Sequence, residues 1–187
     1  MDDIVQQAMA KWPNVPDCYG WLGLDARGDW YMRDDQAQAQ GAFSSGKPHS
    51  KGSRLSHEKL IEFIQRNYAS DARGCWYFQN GPQRVFVELQ ATPWVWRIQP
   101  DGRVTSHTGQ TVSVQKCLVD DKGYAYLQTS LGFGLVHTQD VEALAQVLDA
   151  GHWESEAVRL EDLPRRYGYV CSPQAQAVLK KTAGGEA

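Results

Sequence analysis

At 187 residues, with 42% apolar and 22% charged side chains, the chain is long enough to bury a sizeable core without covalent staples. A net charge of −3 argues against general binding to a phosphate backbone. No apolar run approaches the roughly 20 residues that span a bilayer, so no membrane partner is expected.

Residues 3–12 place Ile4, Val5, Ala8, Met9 and Trp12 at helical spacing, and Pro13 ends the run. A strand over 19–24 then meets the sequence Asp25-Ala26-Arg27-Gly28-Asp29-Trp30-Tyr31. Residues 71–80 repeat it as Asp71-Ala72-Arg73-Gly74-Cys75-Trp76-Tyr77, so that six of ten positions match those of 25–34. Asp at the first position and Gly at the fourth suit a type I turn followed by a left-handed residue, and Trp and Tyr favour the strand that follows. Each copy therefore predicts a hairpin tip. Strand alternation sends Trp30 and Trp76 toward the core and leaves Tyr31 and Tyr77 on the opposite face.

Residues 34–54 are polar and low in complexity, and the spacing predicts a flexible surface loop. Gly41-x-x-x-x-Gly46-Lys47 begins like a phosphate-cradling Walker A motif. Pro48 stands where Ser or Thr would hold magnesium, and no apolar strand precedes Gly41, so a nucleotide-hydrolysis site is rejected. Ser56 caps a predicted helix reaching about Tyr68, with Leu60, Ile61, Phe63 and Ile64 on its apolar stripe.

Strands follow over 75–78, 84–89 and 94–98. Pro100-Asp101-Gly102 turns into a strand over 103–107, and Asp120-Asp121-Lys122-Gly123 is a looser third tip. The strand over 131–137 carries Gly132 and Gly134 on one face, a mark of close backbone approach or a bend. Thr138 opens a helix closed by Gly151, a strand is expected over 157–160, Ser172-Pro173 starts a short helix, and residues 182–187 are expected to be disordered. The fold class is α+β: antiparallel hairpins with two main amphipathic helices, arranged as two similar hairpin–helix motifs sharing a core. The first motif covers 1–98 and the second 99–181.

Cys18, Cys75, Cys117 and Cys171 form no Cys-x-x-Cys pair, and the five histidines show no His-x-His or i,i+4 pairing. Buried, reduced thiols are expected, with no metal and no cofactor. The opening Met1-Asp2-Asp3 lacks the features of a signal peptide, which makes the expected location cytoplasmic. No Gly-x-Ser-x-Gly elbow occurs, and no catalytic residue is assigned. Trp94 and Trp96 share one face of a strand. Uncovered, that face would be an aromatic ledge with Arg84 or Arg97 near it, a surface for recognition.

The run from Tyr19 to Ile98 resembles a proteobacterial family of proteins of unknown function. In that family an aromatic tip precedes a short helix and a second aromatic hairpin, matched here by Asp25–Tyr31, Leu60–Tyr68 and Asp71–Leu89. The resemblance covers the middle half of the chain and is carried by structural motifs. It implies repeated hairpin–helix motifs and a role in signalling or regulation, and it supplies no catalytic residues. The 34–54 insert departs from the compact link of the family.

The function expected is a non-catalytic, regulatory module of a bacterial protein that binds a small molecule or another protein through Tyr31, Tyr77, Arg84, Trp94 and Trp96. Two alternatives are weighed beside it. One is an enzyme assembling His107, His137, Cys75 and Asp71 from distant segments, and the other is a weak single-stranded nucleic-acid binder stacking bases on the ledge.

Overall fold

Five strand-to-strand turns, at Asp25, Asp71, Gln99, Ser106 and Asp120, share one backbone hydrogen bond between the first and fifth residues, and the two sheets are organised around them. In the computed structural model, which describes residues 1–183, the elements run in chain order as follows. α1 (Asp3–Lys11) leads to β1 (Cys18–Leu24) and β2 (Trp30–Met32), then α2 (Asp35–Gln40), β3 (Ser53–Arg54) and α3 (Glu58–Arg66). A meander of β4 (Tyr68–Ser70), β5 (Trp76–Asn80) and β6 (Gln83–Leu89) follows, and then a second of β7 (Trp94–Ile98), β8 (Val104–Ser106) and β9 (Thr111–Val112). A third consists of β10 (Val114–Asp120), β11 (Ala125–Thr129) and β12 (Gly132–Val136). The chain closes with α4 (Val141–Asp149), β13 (Ser155–Val158), α5 (Leu163–Tyr167) and α6 (Pro173–Ala183). Content is mixed α+β, with antiparallel hairpins throughout. Among the described residues no helix is long and apolar enough to cross a membrane.

Asp71 illustrates how a tip is made. Its Oδ1 accepts the backbone N–H of Arg73 and of Cys75 at 2.9 and 3.0 Å, while the N–H of Gly74 donates to the Asp71 carbonyl. Asp120 repeats the pattern with Lys122 and Tyr124, and Asp25 repeats its outer half with Asp29. Gln99–Gly102 makes the same backbone turn between β7 and β8. The aspartate is thus a local acceptor that closes the turn. At Gly123 φ is +84° and an added Cβ would meet nothing within 4 Å, so Gly123→Ala isolates the backbone term. It is expected to lower stability by about 1–2 kcal/mol, read as a shift in the urea midpoint.

The chain divides into two units: residues 1–25, 29–90 and 169 onward form the first, and residues 26–28 and 91–168 the second. The first sheet has the order β3-β2-β1-β6-β5-β4, and the second β13-β10-β11-β12-β7-β8-β9. Read from β9, the second sheet repeats the first and adds β13. In each, two three-stranded meanders are joined where the first strand of one lies parallel to the last strand of the other, β1 beside β6 and β7 beside β12. The repeated object is therefore a pair of meanders. The helices do not share the repeat: in the first unit α2 interrupts the first meander and α3 lies between the two in sequence, whereas α4 follows both in the second. β7, read from the sequence as the end of the first motif, opens the second sheet.

One face of the first sheet packs Leu22, Leu24, Trp30, Phe78, Val87 and Leu89 in the interior. Phe63 of α3 meets Phe78 edge-on at 5.4 Å, and Trp30 meets Tyr68 at 5.2 Å. The register pairs Gly23 with both Tyr31 and Glu88, and Tyr77 with Phe86, which places Tyr31 and Tyr77 on the other face as alternation requires. α3 is shorter than the periodicity suggests. The His57 side chain, not Ser56, caps it by accepting from Leu60 N–H, and Tyr68 has already entered β4.

The stretch 34–54, expected to be a flexible loop, is folded. Asp34 caps α2, Phe43 and Ser50 are each 1% exposed, and β3 pairs with β2. The cause is Arg33, which is fully buried. Its guanidinium donates from Nε to Ser50 O (2.9 Å), from Nη1 to Gly20 O (3.2 Å) and from Nη2 to Gly41 O (2.6 Å). Three carbonyls from separate segments converge on one cation and pin the loop at both ends.

The second unit corrects the aromatic ledge. Trp94 and Trp96 are 6% and 0% exposed and stack on each other at 5.9 Å, and Trp96 Nε1 donates to Leu127 O at 3.0 Å. They are covered because β12 lies against β7 with Gly134 opposite Trp94. A Cβ on Gly134 would stand 2.6 Å from Trp96 Nε1, so the glycines serve the close approach. Arg97 is bound to Asp140 at 2.6 and 3.0 Å. At the C-terminus Thr182 and Ala183, expected to be disordered, end α6, where the Thr182 hydroxyl bonds to Val178 and Leu179 carbonyls. The remainder of the stretch expected to be disordered, 184–187, lies outside the described residues.

Candidate binding groove

Tyr77 and Arg84 are brought together on the first unit. They line a groove of about 310 Å³ with Asp17, Gln79 and Pro82, closed on one side by Met9, Trp12, Pro13 and Val15 from the end of α1 and the turn after it. Trp12 is 51% exposed, an unusual position for so large a ring in a chain with a packed aromatic core. The amphipathic spacing of α1 buries Val5 and leaves Met9 and Trp12 at the rim.

Arg84 lies over the rings of Tyr77 and Phe86 at 5.8 and 5.7 Å. Its Nε and Nη2 donate to the two oxygens of Asp17 at 2.9 and 3.2 Å, a two-pronged pairing that fixes the guanidinium plane. Nη1 has no partner among the described residues. Directly opposite in the β5–β6 register stands Gln79, 1% exposed. Its Nε2 donates to Gly81 O at 2.9 Å, whereas its buried Oε1 has no hydrogen-bond partner. A buried acceptor left without a donor is costly. The groove thus presents one unused donor, Arg84 Nη1, and across the sheet from it lies one unused acceptor, Gln79 Oε1, buried just beneath the groove surface.

Tyr31 sits elsewhere on the same sheet face. It meets Phe43 edge-on at 5.9 Å, and Lys51 lies over its ring at 5.4 Å. Burial, with the neighbouring Asp25 and Asp29 carboxylates, raises its hydroxyl above the ordinary tyrosine pKa. Trp94 and Trp96 belong to the interior of the second unit. Gln79, Asp17 and Trp12 were missed in the sequence. Gln79 could have been found by its i,i+2 relation to Tyr77, and Trp12 by its place at the open end of an amphipathic helix.

The side chains weighed for catalysis each hold structure. The Cys75 thiol donates to Gln176 Oε1 at 3.2 Å, and burial pushes its pKa up, so the thiolate nucleophile is disfavoured. Asp71 closes its turn. The ring of His107 accepts the Val95 N–H, and burial drives its pKa down to about 3. His137 accepts from Gln139 N–H at the start of the turn before α4. Among the described residues no group of three or more His, Cys, Asp or Glu side chains is placed to hold a metal ion.

Fold and groove together define a class: an α+β protein of paired three-stranded meanders with an open, aromatic-rimmed groove on its first unit. The chain belongs to the DUF2944 family, whose model, described as a protein of unknown function (DUF2946), matches residues 1–174. Two solved structures are similar to it. One is a DUF1285 family protein from Silicibacter pomeroyi DSS-3 at 11% identity, covering 79% of this chain and 85% of that one, with a TM-score of 0.47. The other is a DUF1285 family protein from Shewanella baltica OS155 at 14% identity, covering 68% and 91%, with a TM-score of 0.45. No curated protein matches the chain.

Proposed function

We propose that the first unit is a non-catalytic regulatory module that takes an extended segment of a partner protein into the groove beside α1. The observation that carries this reading is the facing pair of Gln79 Oε1 and Arg84 Nη1. A residue in an extended strand presents its own N–H and C=O on the same side. The C=O accepts from Arg84, the N–H reaches Gln79 Oε1 once the amide turns out of its buried position, and the flanking side chains lie against Trp12, Pro13 and Pro82. At about 310 Å³ the groove holds one or two side chains, which suits a short segment better than a large cofactor.

The test is titration of the intact protein with a library of apolar-rich, extended hexapeptides, followed by intrinsic tryptophan fluorescence and calorimetry. Selected peptides are expected to bind in the micromolar range. Trp12→Ala and Arg84→Met, both at partly exposed side chains, should each weaken them about tenfold, equivalent to about 1.4 kcal/mol. Peptide binding that ignores both substitutions, or no peptide binding at all, would refute the reading.

A further inference from the structure

A second hollow of about 350 Å³ lies on the first unit, under the segment between α2 and β3. Its ionisable lining is Lys47, His49 and Lys51, and none of its described lining residues is acidic, in a chain whose net charge is −3. Ser44 Oγ, Lys47 Nζ and the His49 ring have no hydrogen-bond partner among the described residues. Lys51 is fixed at the edge: its Nζ donates to Gln90 Oε1 at 2.8 Å, stands 3.6 Å from Asp25, and lies over the Tyr31 and Phe43 rings.

The segment is held in shape before any ligand arrives. Arg33 binds the Gly41 and Ser50 carbonyls from beneath, the Ser50 hydroxyl donates to Lys47 O, and His49 is kept at φ +62°, a conformation uncommon outside glycine. A backbone already held in place leaves less freedom to be lost on binding. We propose that this hollow binds a phosphate group, with Lys47, His49, Lys51 and Ser44 donating to its oxygens. Several donors around one small space suit a tetrahedral anion with many acceptor sites better than a planar carboxylate, and the volume leaves room for a small organic body attached to it. The site owes nothing to a Walker A cradle, since no helix begins at Lys47. It binds without breaking a bond.

The intact protein would be titrated with inorganic phosphate and with pyrophosphate at constant ionic strength, using chloride as the control, and followed by calorimetry and thermal denaturation. In parallel, co-sedimentation with phosphatidic acid vesicles, against phosphatidylcholine vesicles, distinguishes a lipid headgroup from a soluble phosphate. Saturable binding of a soluble probe, or retention on phosphatidic acid alone, is expected to weaken at least tenfold in a Lys47→Ala/His49→Asn variant. Asn tolerates the left-handed backbone at position 49, and an unchanged thermal midpoint without ligand establishes that the variant is folded. Absence of saturable binding to every probe, or wild-type affinity in the folded double variant, overturns the proposal.

Discussion

Replacing Arg33 with methionine is expected to destabilise the first unit by roughly 3–5 kcal/mol, the range for removing one member of a buried, bonded charge system. The substitution roughly preserves side-chain volume, so the effect reports hydrogen bonds and charge more than a cavity. Three carbonyls, at Gly20, Gly41 and Ser50, lose their donor at once, and each buried acceptor left unmade costs about 1–3 kcal/mol. The total falls short of their sum because the 41–52 segment can swing out and hydrate its own carbonyls. That release is the sharper readout: trypsin should cleave after Lys51 in the variant under conditions where the wild type resists, while Pro48 protects the bond after Lys47. Glu88 is coupled to the same change. Burial raises its carboxyl pKa, while Ser172, Gln174 N–H and the Arg33 charge draw it back down. The folded state therefore holds the Glu88 proton more tightly than the unfolded chain, and its contribution to stability falls as pH rises from the ordinary carboxyl value through the raised one. Without Arg33 that window extends upward. An Arg33→Met/Glu88→Gln double variant should regain part of the loss, giving a coupling energy for the pair. Wild-type proteolysis of Arg33→Met would show that the loop is held by something other than its buried cation.

What the sequence made legible is local, and the reasons are physical. Asp71 and Gly74 close their turn through bonds spanning at most four residues, so residue types alone announce it, and the same holds for Asp120 and Gly123. The faces of Trp30 and Tyr31 follow from strand alternation. The joins β1 with β6 and β7 with β12 pair residues about 40 to 67 positions apart, and no local pattern marks them. Whether the face of Trp94 and Trp96 is covered has no local mark, because its cover, Gly134, is 38 or more positions away, although the two-glycine face of β12 signals close approach. Arg33 was invisible for the same reason. An arginine beside a polar stretch reads as solvated, and only the convergence of three distant carbonyls puts it inside. The groove was half legible. Tyr77 and Arg84 follow from alternation, while Asp17 and Trp12 arrive from a segment 60 or more positions away.

The second unit carries its own titration, expected to appear as a loss of stability between pH 6.5 and 4. His107 Nε2 is closed off from solvent although the residue as a whole is half-buried, and its ring lies 5.6 Å from that of Trp94. Burial disfavours the imidazolium and brings the pKa down to about 3 from an ordinary 6.5. The unfolded chain takes up the proton near pH 6.5 and the folded one does not, so the stability is complete above that value and is lost as pH falls toward 3. With about 1.36 kcal/mol per pH unit, roughly 2–3 kcal/mol should disappear by pH 4.5. Asp140 does not compete in this range. Burial raises its carboxyl, but hydrogen bonds from Arg97 and from Ile98 N–H outweigh that and hold it below 3.8, so its contribution is lost only in stronger acid. Glu88 acts in the opposite direction and in the other unit, which makes a residue-resolved method necessary. Hydrogen exchange at the Val95 amide, which donates to the His107 ring, reads the second unit alone. His107→Asn keeps an acceptor near that amide and removes the titrating group. Protection at Val95 should then be flat from pH 6.5 to 4 after correction for intrinsic exchange. A slope equal to the wild type's would assign the acid sensitivity to another residue.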